Sequence, residues 1–181
     1  MYSCAVSTVH VLLGLLASRP RHGYELKREH DTRFPAAKPL PYGQVYATLG
    51  RLERDGLVLV DGTEQDSGPE RTRYAITERG AHALGRWLAQ VEEPAPYLGG
   101  TMQTKIVLAL LTRRSAEPYL RAQREAHLTR MRELTARKSD PGAPMADVLA
   151  ADYAILHLDA DLRWMETTMN RLNDLRAEVG A

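Results

Sequence analysis

The sequence predicts a mostly α-helical protein with one small β-hairpin, arranged as an N-terminal and a C-terminal domain. Three helix-like segments are followed by two β-branched runs that flank a polar loop, and every segment beyond residue 100 has helical periodicity. The predicted domains are residues 1–93 and 101–181. Residues 94–100, which contain two prolines and two glycines, form the predicted linker.

The composition is typical of a globular protein, with 26% charged and 44% hydrophobic residues. The longest apolar run is too short to span a bilayer, and the N-terminus lacks the features of a signal peptide, so we expect a cytoplasmic protein with no membrane contact. Cys4 is the only cysteine and the six histidines lack ligand spacing, so we expect no disulfide, metal or cofactor. No catalytic set of residues stands out, and we do not expect an enzyme.

Three short helices are predicted at the start of the chain. The first spans Ser7 to Ser18, the second runs from His22 to about Thr32, and the third lies within Pro41 to Gly56. The links between them contain prolines, which disfavour helical backbone in the preceding residue. We expect Gly23 to serve the turn into the second helix and Tyr24 to pack beneath the third. Three helices with such short links are typical of a helix-turn-helix.

The third helix has one apolar side and one nearly flat side. The apolar side has residues at i, i+4 and i+7: Val45, Leu49 and Leu52. The opposite side carries small residues that allow a close backbone approach: Gly43, Ala47 and Gly50. Such a face suits the major groove of DNA. There Gln44 can contact base edges, while Tyr46 and Arg51 can contact the phosphate backbone, and Arg54 lies near the end of the helix.

Two strand-like segments follow, Leu57 to Val60 and Thr72 to Ile76, around the polar loop of residues 61–71. A hairpin directly after a third helix predicts the wing of a winged helix-turn-helix. Within it, Arg71 and Arg73 can reach the minor groove or its phosphates. The alternative is that these arginines pair with acidic residues of the loop: Glu64, Asp66 or Glu70. Further candidates for backbone contacts are Lys27, Arg28 and Lys38.

Four more helices are predicted, the last of them unusually long. They run from Glu78 to about Val91, from Met102 to Leu111, from Ala116 to about Lys138, and from Met145 to about Glu178. The last helix has about 34 residues, against a mean of about 11–12, and its amphipathic pattern predicts burial against another protein surface. Homodimerisation through this helix is therefore expected.

Several aromatic and methionine residues of the C-terminal half are candidates for binding a small-molecule effector. They are Tyr97, Tyr153, His157, Trp164 and Met165. Such side chains can line an adaptable apolar cavity, and the alternative is that they form the core of a dimer. Tyr153, His157 and Trp164 share one face of the predicted last helix.

Three stretches resemble the PadR family of bacterial transcriptional regulators. They are HGYELKRE (22–29), VYATLGRLERDGLV (45–58) and RTRYAITERG (71–80), which resemble the second helix, the recognition helix and the wing of that family. The C-terminal half resembles the helical domain of the longer PadR subtype, especially in DYAILHLDADLRWM. One departure is Pro41, where the family more often has a Ser or Thr that caps the recognition helix.

The resemblance implies a homodimer that binds a palindromic operator in double-stranded DNA and is often released by a small aromatic or drug-like effector. The net charge of +1 requires such a protein to concentrate its positive charge on one face. We therefore expect a ligand-responsive repressor. Two alternatives stay open: a dimeric DNA-binding protein without a ligand, and a winged-helix module for protein interaction.

Overall fold

A computed structural model describes residues 8–34, 39–64, 71–95 and 99–180, which form eight helices and three strands. The N-terminal elements are α1 (Thr8–Ser18), β1 (Arg21–His22), α2 (Gly23–Arg33), α3 (Tyr42–Arg54), β2 (Val58–Glu64), β3 (Arg71–Ile76) and α4 (Glu78–Ala89). The C-terminal elements are α5 (Gly99–Leu111), α6 (Glu117–Lys138), α7 (Met145–Asn170) and α8 (Leu172–Gly180). No described helix is long and apolar enough to cross a membrane.

The winged helix-turn-helix predicted for the N-terminal half is confirmed, but its sheet has one more strand than the predicted hairpin. The strand order is β1-β3-β2, and all pairs are antiparallel. In β1, Arg21 pairs with Tyr74 and His22 with Arg73. Because Pro20 disfavours helix in the residue before it, the chain leaves α1 in an extended form that can join the edge of β3.

The wing strands are longer than predicted. The strand β2 continues beyond Val60 through a bulge between Val60 and Gly62 and reaches Glu64, whose backbone pairs with Arg71. Residues of the predicted loop on both sides are therefore part of the ladder. The tip of the wing, residues 65–70, lies outside the described residues.

Helix α1 is the centre of the N-terminal core. Five of its apolar side chains are at most 2% exposed: Val11, Leu12, Leu13, Leu15 and Leu16. Leu108 of α5 belongs to the same core, and a Cβ on Gly14 would lie 2.6 Å from Leu108 Cδ2, so the missing side chain lets α5 approach closely. The same apolar core thus contains residues from both sides of the predicted linker. The division into two domains therefore stays a prediction.

Helices α6 and α7 form an antiparallel pair. Lys138 is bonded to Asp152 near the turn (2.6 Å), and His127 lies 3.4 Å from Asp161 further along. Against the far end of this pair lies a second core made with α5, which includes Met102, Leu120 and Met165.

The predicted single helix from Met145 to about Glu178 is wrong, because the chain breaks at Arg171 into α7 and α8. The break lets Leu172 and Leu175 pack on the second core, next to α5. In a straight helix these leucines would extend past the core into solvent, so apolar burial favours the bend. The other helices begin and end within three residues of the predicted positions.

Candidate nucleic-acid interface and the helical region

The inner face of α3 anchors the helix in the core as predicted. Val45, Leu49 and Leu52 are at most 2% exposed, and Thr48 is buried beside them, with its hydroxyl donating to Gln44 O at 2.7 Å. Pro41 precedes the helix without a side-chain cap, but its carbonyl accepts from the backbone N–H groups of Gln44 and Val45. The first turn is thus closed by backbone bonds, although the Ser or Thr cap is missing.

The outer face of α3 is open and flat. Gly43 and Ala47 are exposed, and Gly50 is partly exposed. Apart from the adjoining residues and the backbone of α3 itself, no described atom lies within 4 Å of the position that a Cβ would occupy on Gly43 or Gly50. A large rigid partner could therefore approach the backbone of this helix along two turns.

Longer polar side chains border this face. Gln44 is exposed, and its amide nitrogen lies 3.3 Å from Thr8 Oγ1 at the start of α1. Arg51 and Arg54 are exposed, and Arg54 Nε donates to Gly50 O at 3.3 Å. Positive charge is thus available towards the end of the same helix.

The contact between α2 and α3 is made by Tyr46 and not, as predicted, by Tyr24. The Tyr46 side chain is 48% exposed, and its ring lies on the backbone of Gly23, where a Cβ would meet Tyr46 Cε1 at 2.6 Å. Tyr24, expected beneath α3, is instead 39% exposed and stacks on His22 with ring centroids 5.6 Å apart. The expectation for Tyr24 is wrong because Gly23, not Tyr24, faces α3, and the ring of Tyr46 fills that contact.

Of the two predicted wing arginines, the structure describes the side chain of Arg73 but not that of Arg71. Arg73 Nε lies 3.0 Å from Asp61 Oδ2, so Arg73 is paired with a carboxylate that was not among the three predicted partners. About 39% of the Arg73 side chain is exposed, so the guanidinium still reaches the surface. The structure describes only the backbone of Arg71 in β3, and Lys38 lies outside the described residues.

Lys27 has a structural partner. Its ammonium lies 2.6 Å from Asp31 Oδ2 and 5.2 Å from the centre of the Tyr42 ring. The other carboxylate oxygen of Asp31 accepts the Leu40 N–H at 3.0 Å and lies 2.9 Å from His30 Nδ1. The hydrogen bond from Lys27, then those from His30 and Leu40, hold the pKa of Asp31 well below its usual range. The ionised Asp31 thus holds the backbone of Leu40, two residues before α3, close to the end of α2.

The candidate effector residues fall into two groups. Tyr153 is 48% exposed, and its ring meets that of His157 edge-on, with centroids 4.3 Å apart. Met165 is fully buried in the second core, and Trp164 packs partly buried against it. Tyr97 lies outside the described residues.

Two further features of the helical region bear on its function: the first belongs to the amphipathic pattern predicted for the last helix, and the second was not predicted. First, α7 exposes an apolar stripe at i, i+4, i+8 and i+11, with exposures of 48–71%: Met145, Leu149, Tyr153 and Leu156. Second, a cavity of about 240 Å³ lies between α4, α5 and α6. Lys105, Arg114 and Tyr119 are among the residues that line it. The hydroxyl of Tyr119 is buried without a hydrogen-bond partner among the described residues, and burial raises the pKa of this phenol.

Comparisons with known proteins find similarity to transcriptional regulators. Residues 12–86 match the transcriptional regulator PadR-like family. A Mycobacterium tuberculosis protein described as a probable transcriptional regulator is 26% identical over 92% of this chain and 98% of its own length.

Two crystal structures of Bacillus subtilis PadR are also similar to this chain. The structure with operator DNA is 17% identical over 89% of this chain and 97% of that chain, with a TM-score of 0.46. The structure with p-coumaric acid is 18% identical over 91% and 97%, with a TM-score of 0.41. Because both TM-scores are below 0.5, the assignment rests on the match of residues 12–86, which runs from α1 into α4. Residues 12–86, which form most of the winged helix-turn-helix, thus have the sequence pattern of the transcriptional regulator PadR-like family.

Proposed function

We propose that the chain is a homodimeric repressor that binds a pseudo-palindromic operator through two copies of α3. The observation that carries the proposal is the open face of Gly43, Ala47 and Gly50, bordered by Gln44 and arginines. A bound dimer would repress by covering the promoter, and a regulator of chromosomal DNA would act in the cytoplasm. The Bacillus subtilis relative, solved with operator DNA, supports this function for the family.

Each polar residue at this face has a proposed role. Gln44 reads a base edge at the N-terminal end of α3, while Tyr46 and Arg51 contact phosphates. Arg73 and Arg71 extend the contact from the wing. For Arg73 this requires exchange of Asp61 for a phosphate, which the half-exposed ion pair permits because such pairs contribute little stability.

Gln44→Ala should relax base preference without changing the salt dependence of binding. If Gln44 makes a bidentate pair with one base, its loss removes about 1–3 kcal/mol of discrimination at that position and at its symmetry mate. An operator is first selected from a random duplex library and from the DNA upstream of the gene. Mobility-shift titrations against every single-base variant of that operator then give the preference at each position.

Gln103→Ala, on the exposed surface of α5, is the matched control and should retain the preference of the unmodified chain. If Gln44→Ala retains it as well, Gln44 does not read a base. If the unmodified chain selects no duplex, the winged-helix module for protein interaction becomes the better description.

We also propose that the apolar stripe of α7 is the contact with a second copy of this chain. Leu149→Glu together with Leu156→Glu should convert a dimer into a folded monomer, because both side chains are at least 63% exposed and the substitution buries charge only in the dimer. Sedimentation equilibrium measures the mass, and circular dichroism checks the fold.

Ala136→Glu, on the exposed surface of α6, is the control and should remain dimeric. A double variant that is as dimeric as the unmodified chain would place the interface elsewhere. A dimer through α7 would hold two copies of α3, and their separation must match half-sites about 34–36 Å apart.

We also propose that a small effector regulates DNA binding by changing the separation of the two α3 helices. The candidates remain Tyr153, His157, Trp164, Met165 and Tyr97, and the contact of His157 with Tyr153 of the stripe supports a location near the dimer helices. The p-coumaric acid bound by the Bacillus subtilis relative suggests a first panel of small aromatic acids. Release of the operator by one of them would identify an effector, whereas retention across the panel would favour a DNA-binding protein without a ligand.

A further inference from the structure

A buried cation lies at the junction between the winged helix-turn-helix and the helices α5 to α8. Lys105, in the middle of α5, is only 1% exposed. Its ammonium donates to the backbone carbonyl of Gln90 at 2.5 Å and forms an ion pair with the carboxylate of Glu92. Both partners belong to residues 90–95, the described part of the chain that follows α4. Lys105 therefore holds this segment onto α5.

A second side chain holds the same segment from α6. Gln123 is fully buried, with its amide oxygen accepting the Glu92 N–H at 2.7 Å and its amide nitrogen donating to the Glu92 carbonyl at 2.8 Å. One turn later, His127 Nδ1 lies 2.8 Å from the Gln123 carbonyl, and Nε2 lies 3.4 Å from an Asp161 oxygen on α7. Hydrogen bonds therefore run from residue 92 to His127 on α6, and the ring of His127 lies close to Asp161 on the helix that carries the apolar stripe.

On its other side, Lys105 contacts the winged helix-turn-helix directly. Its ammonium lies 4.9 Å from the centre of the Trp87 ring on α4 and 5.1 Å from that of Tyr119 on α6. Trp87 also stacks on His10 of α1, with centroids 4.4 Å apart and planes 3° from parallel. His10, Trp87, Lys105 and Tyr119 thus form a continuous layer of side chains from α1 to α6.

This arrangement is better explained by orientation than by stability. Burying the Lys105 ammonium and most of the Glu92 side chain costs desolvation that their attraction rarely exceeds, and an apolar replacement of similar volume is often neutral or stabilising. What an apolar side chain cannot supply is a directional contact with one carbonyl and one carboxylate of the connecting segment. A cation at this position therefore fixes a particular geometry of the junction.

We propose that Lys105 and Glu92 form a clamp that fixes the orientation of the winged helix-turn-helix on helices α5 to α8, and that this clamp sets the half-site spacing that the dimer accepts. The part on spacing rests on the proposed function, since only a dimer that binds two half-sites has a preferred spacing. Lys105 is in this respect a positioning residue, because it lies in the core and not on the face of α3.

Lys105→Met tests the clamp because methionine is similar in length and carries no charge. Spin labels on exposed positions report the orientation: Glu53→Cys on α3 and Glu166→Cys on α7, with Cys4→Ser removing the only native cysteine. Labelled protein is mixed with an excess of unlabelled protein so that distances within one protomer dominate. We expect a narrow distance distribution for the chain with Lys105 and a broader one for Lys105→Met.

The second measurement uses operators whose two half-sites are moved apart or together by one base pair. We expect Lys105→Met to bind a single half-site as well as the unmodified chain, but to lose about tenfold of its discrimination against the altered spacings, as for residues coupled in one network. Lys138→Met, which breaks the pair with Asp152 on α6 and α7, is the matched control and should change neither measurement.

Glu92→Gln removes the charge of the other, partially exposed partner in the clamp. The same two measurements on this variant decide the question if Lys105→Met does not fold. An unchanged distance distribution in the folded variant would overturn the clamp. A broader distribution with unchanged spacing discrimination would overturn its role in operator choice. If the unmodified chain binds no duplex, the proposed function fails, and the label distances still decide whether the clamp exists.

Discussion

Gly80→Ala should destabilise the chain by about 3 kcal/mol or more, a large effect for the addition of one methyl group. A Cβ on Gly80 would lie 2.1 Å from the backbone oxygen of Leu57 and 2.8 Å from Ile76 Cγ1. Leu57 O cannot simply move away, because it accepts the Thr77 N–H at 3.1 Å. The added methyl group must therefore separate the start of α4 from the wing, which breaks the Thr77 cap on the Gly80 N–H. Denaturant unfolding followed by circular dichroism measures the loss.

Gly50→Ala is the matched control with the opposite sign. Apart from the adjoining residues and the backbone of α3 itself, no described atom lies within 4 Å of its Cβ position, so alanine should increase stability by about 0.5–1 kcal/mol through its higher helix propensity. A Gly80→Ala variant within about 1 kcal/mol of the unmodified chain would mean that the contact between α4 and the wing is looser than the structure describes.

Local periodicity was sufficient to predict the helices, because each depends on apolar residues close together in sequence. Val45, Leu49 and Leu52 are buried as the pattern requires. The strand β1 escaped prediction because its two residues pair with residues more than fifty positions away. The break at Arg171 also left no local signal, since neither proline nor glycine occurs there and the bend is driven by packing of Leu172 and Leu175.

The same distinction applies to the candidate site. The flat face of α3 follows from which residues share one side of a helix, and both open glycines lie where that argument places them. The partner of Arg73 and the contact between Tyr46 and Gly23 depend on how separate elements meet, which spacing along one helix does not specify. The burial of Lys105 could have been predicted in part from the sequence. This residue lies three residues after Met102 and four before Ala109, on the buried side of α5, where a charged residue requires a specific partner.

Ala47→Glu should abolish operator binding while leaving the fold intact. Ala47 is exposed at the centre of the open face of α3, and glutamate is a good helix former, so the substitution should change stability little. If this face enters a groove, the new carboxylate is pressed against phosphates and base edges in a nearly water-free contact. Like charges placed together in an interface cost several kcal/mol, so we expect affinity to fall by at least about a hundredfold. Fluorescence anisotropy with a labelled operator measures the affinity, and thermal unfolding checks the fold.

Two further variants separate this effect from charge alone. Ala136→Glu adds the same charge to the exposed surface of α6 and should lower affinity only slightly, by an amount that added salt removes. Ala47→Ser keeps a small side chain and should bind within about tenfold of the unmodified chain, because one hydroxyl can be accommodated where a carboxylate cannot. If Ala47→Glu bound as well as Ala136→Glu, the face of Gly43, Ala47 and Gly50 would lie away from the DNA. The wing and the start of α1 would then be the remaining candidates for the DNA contact. On α3, Gln44 could still contact a base from there, because its side chain touches Thr8 of α1.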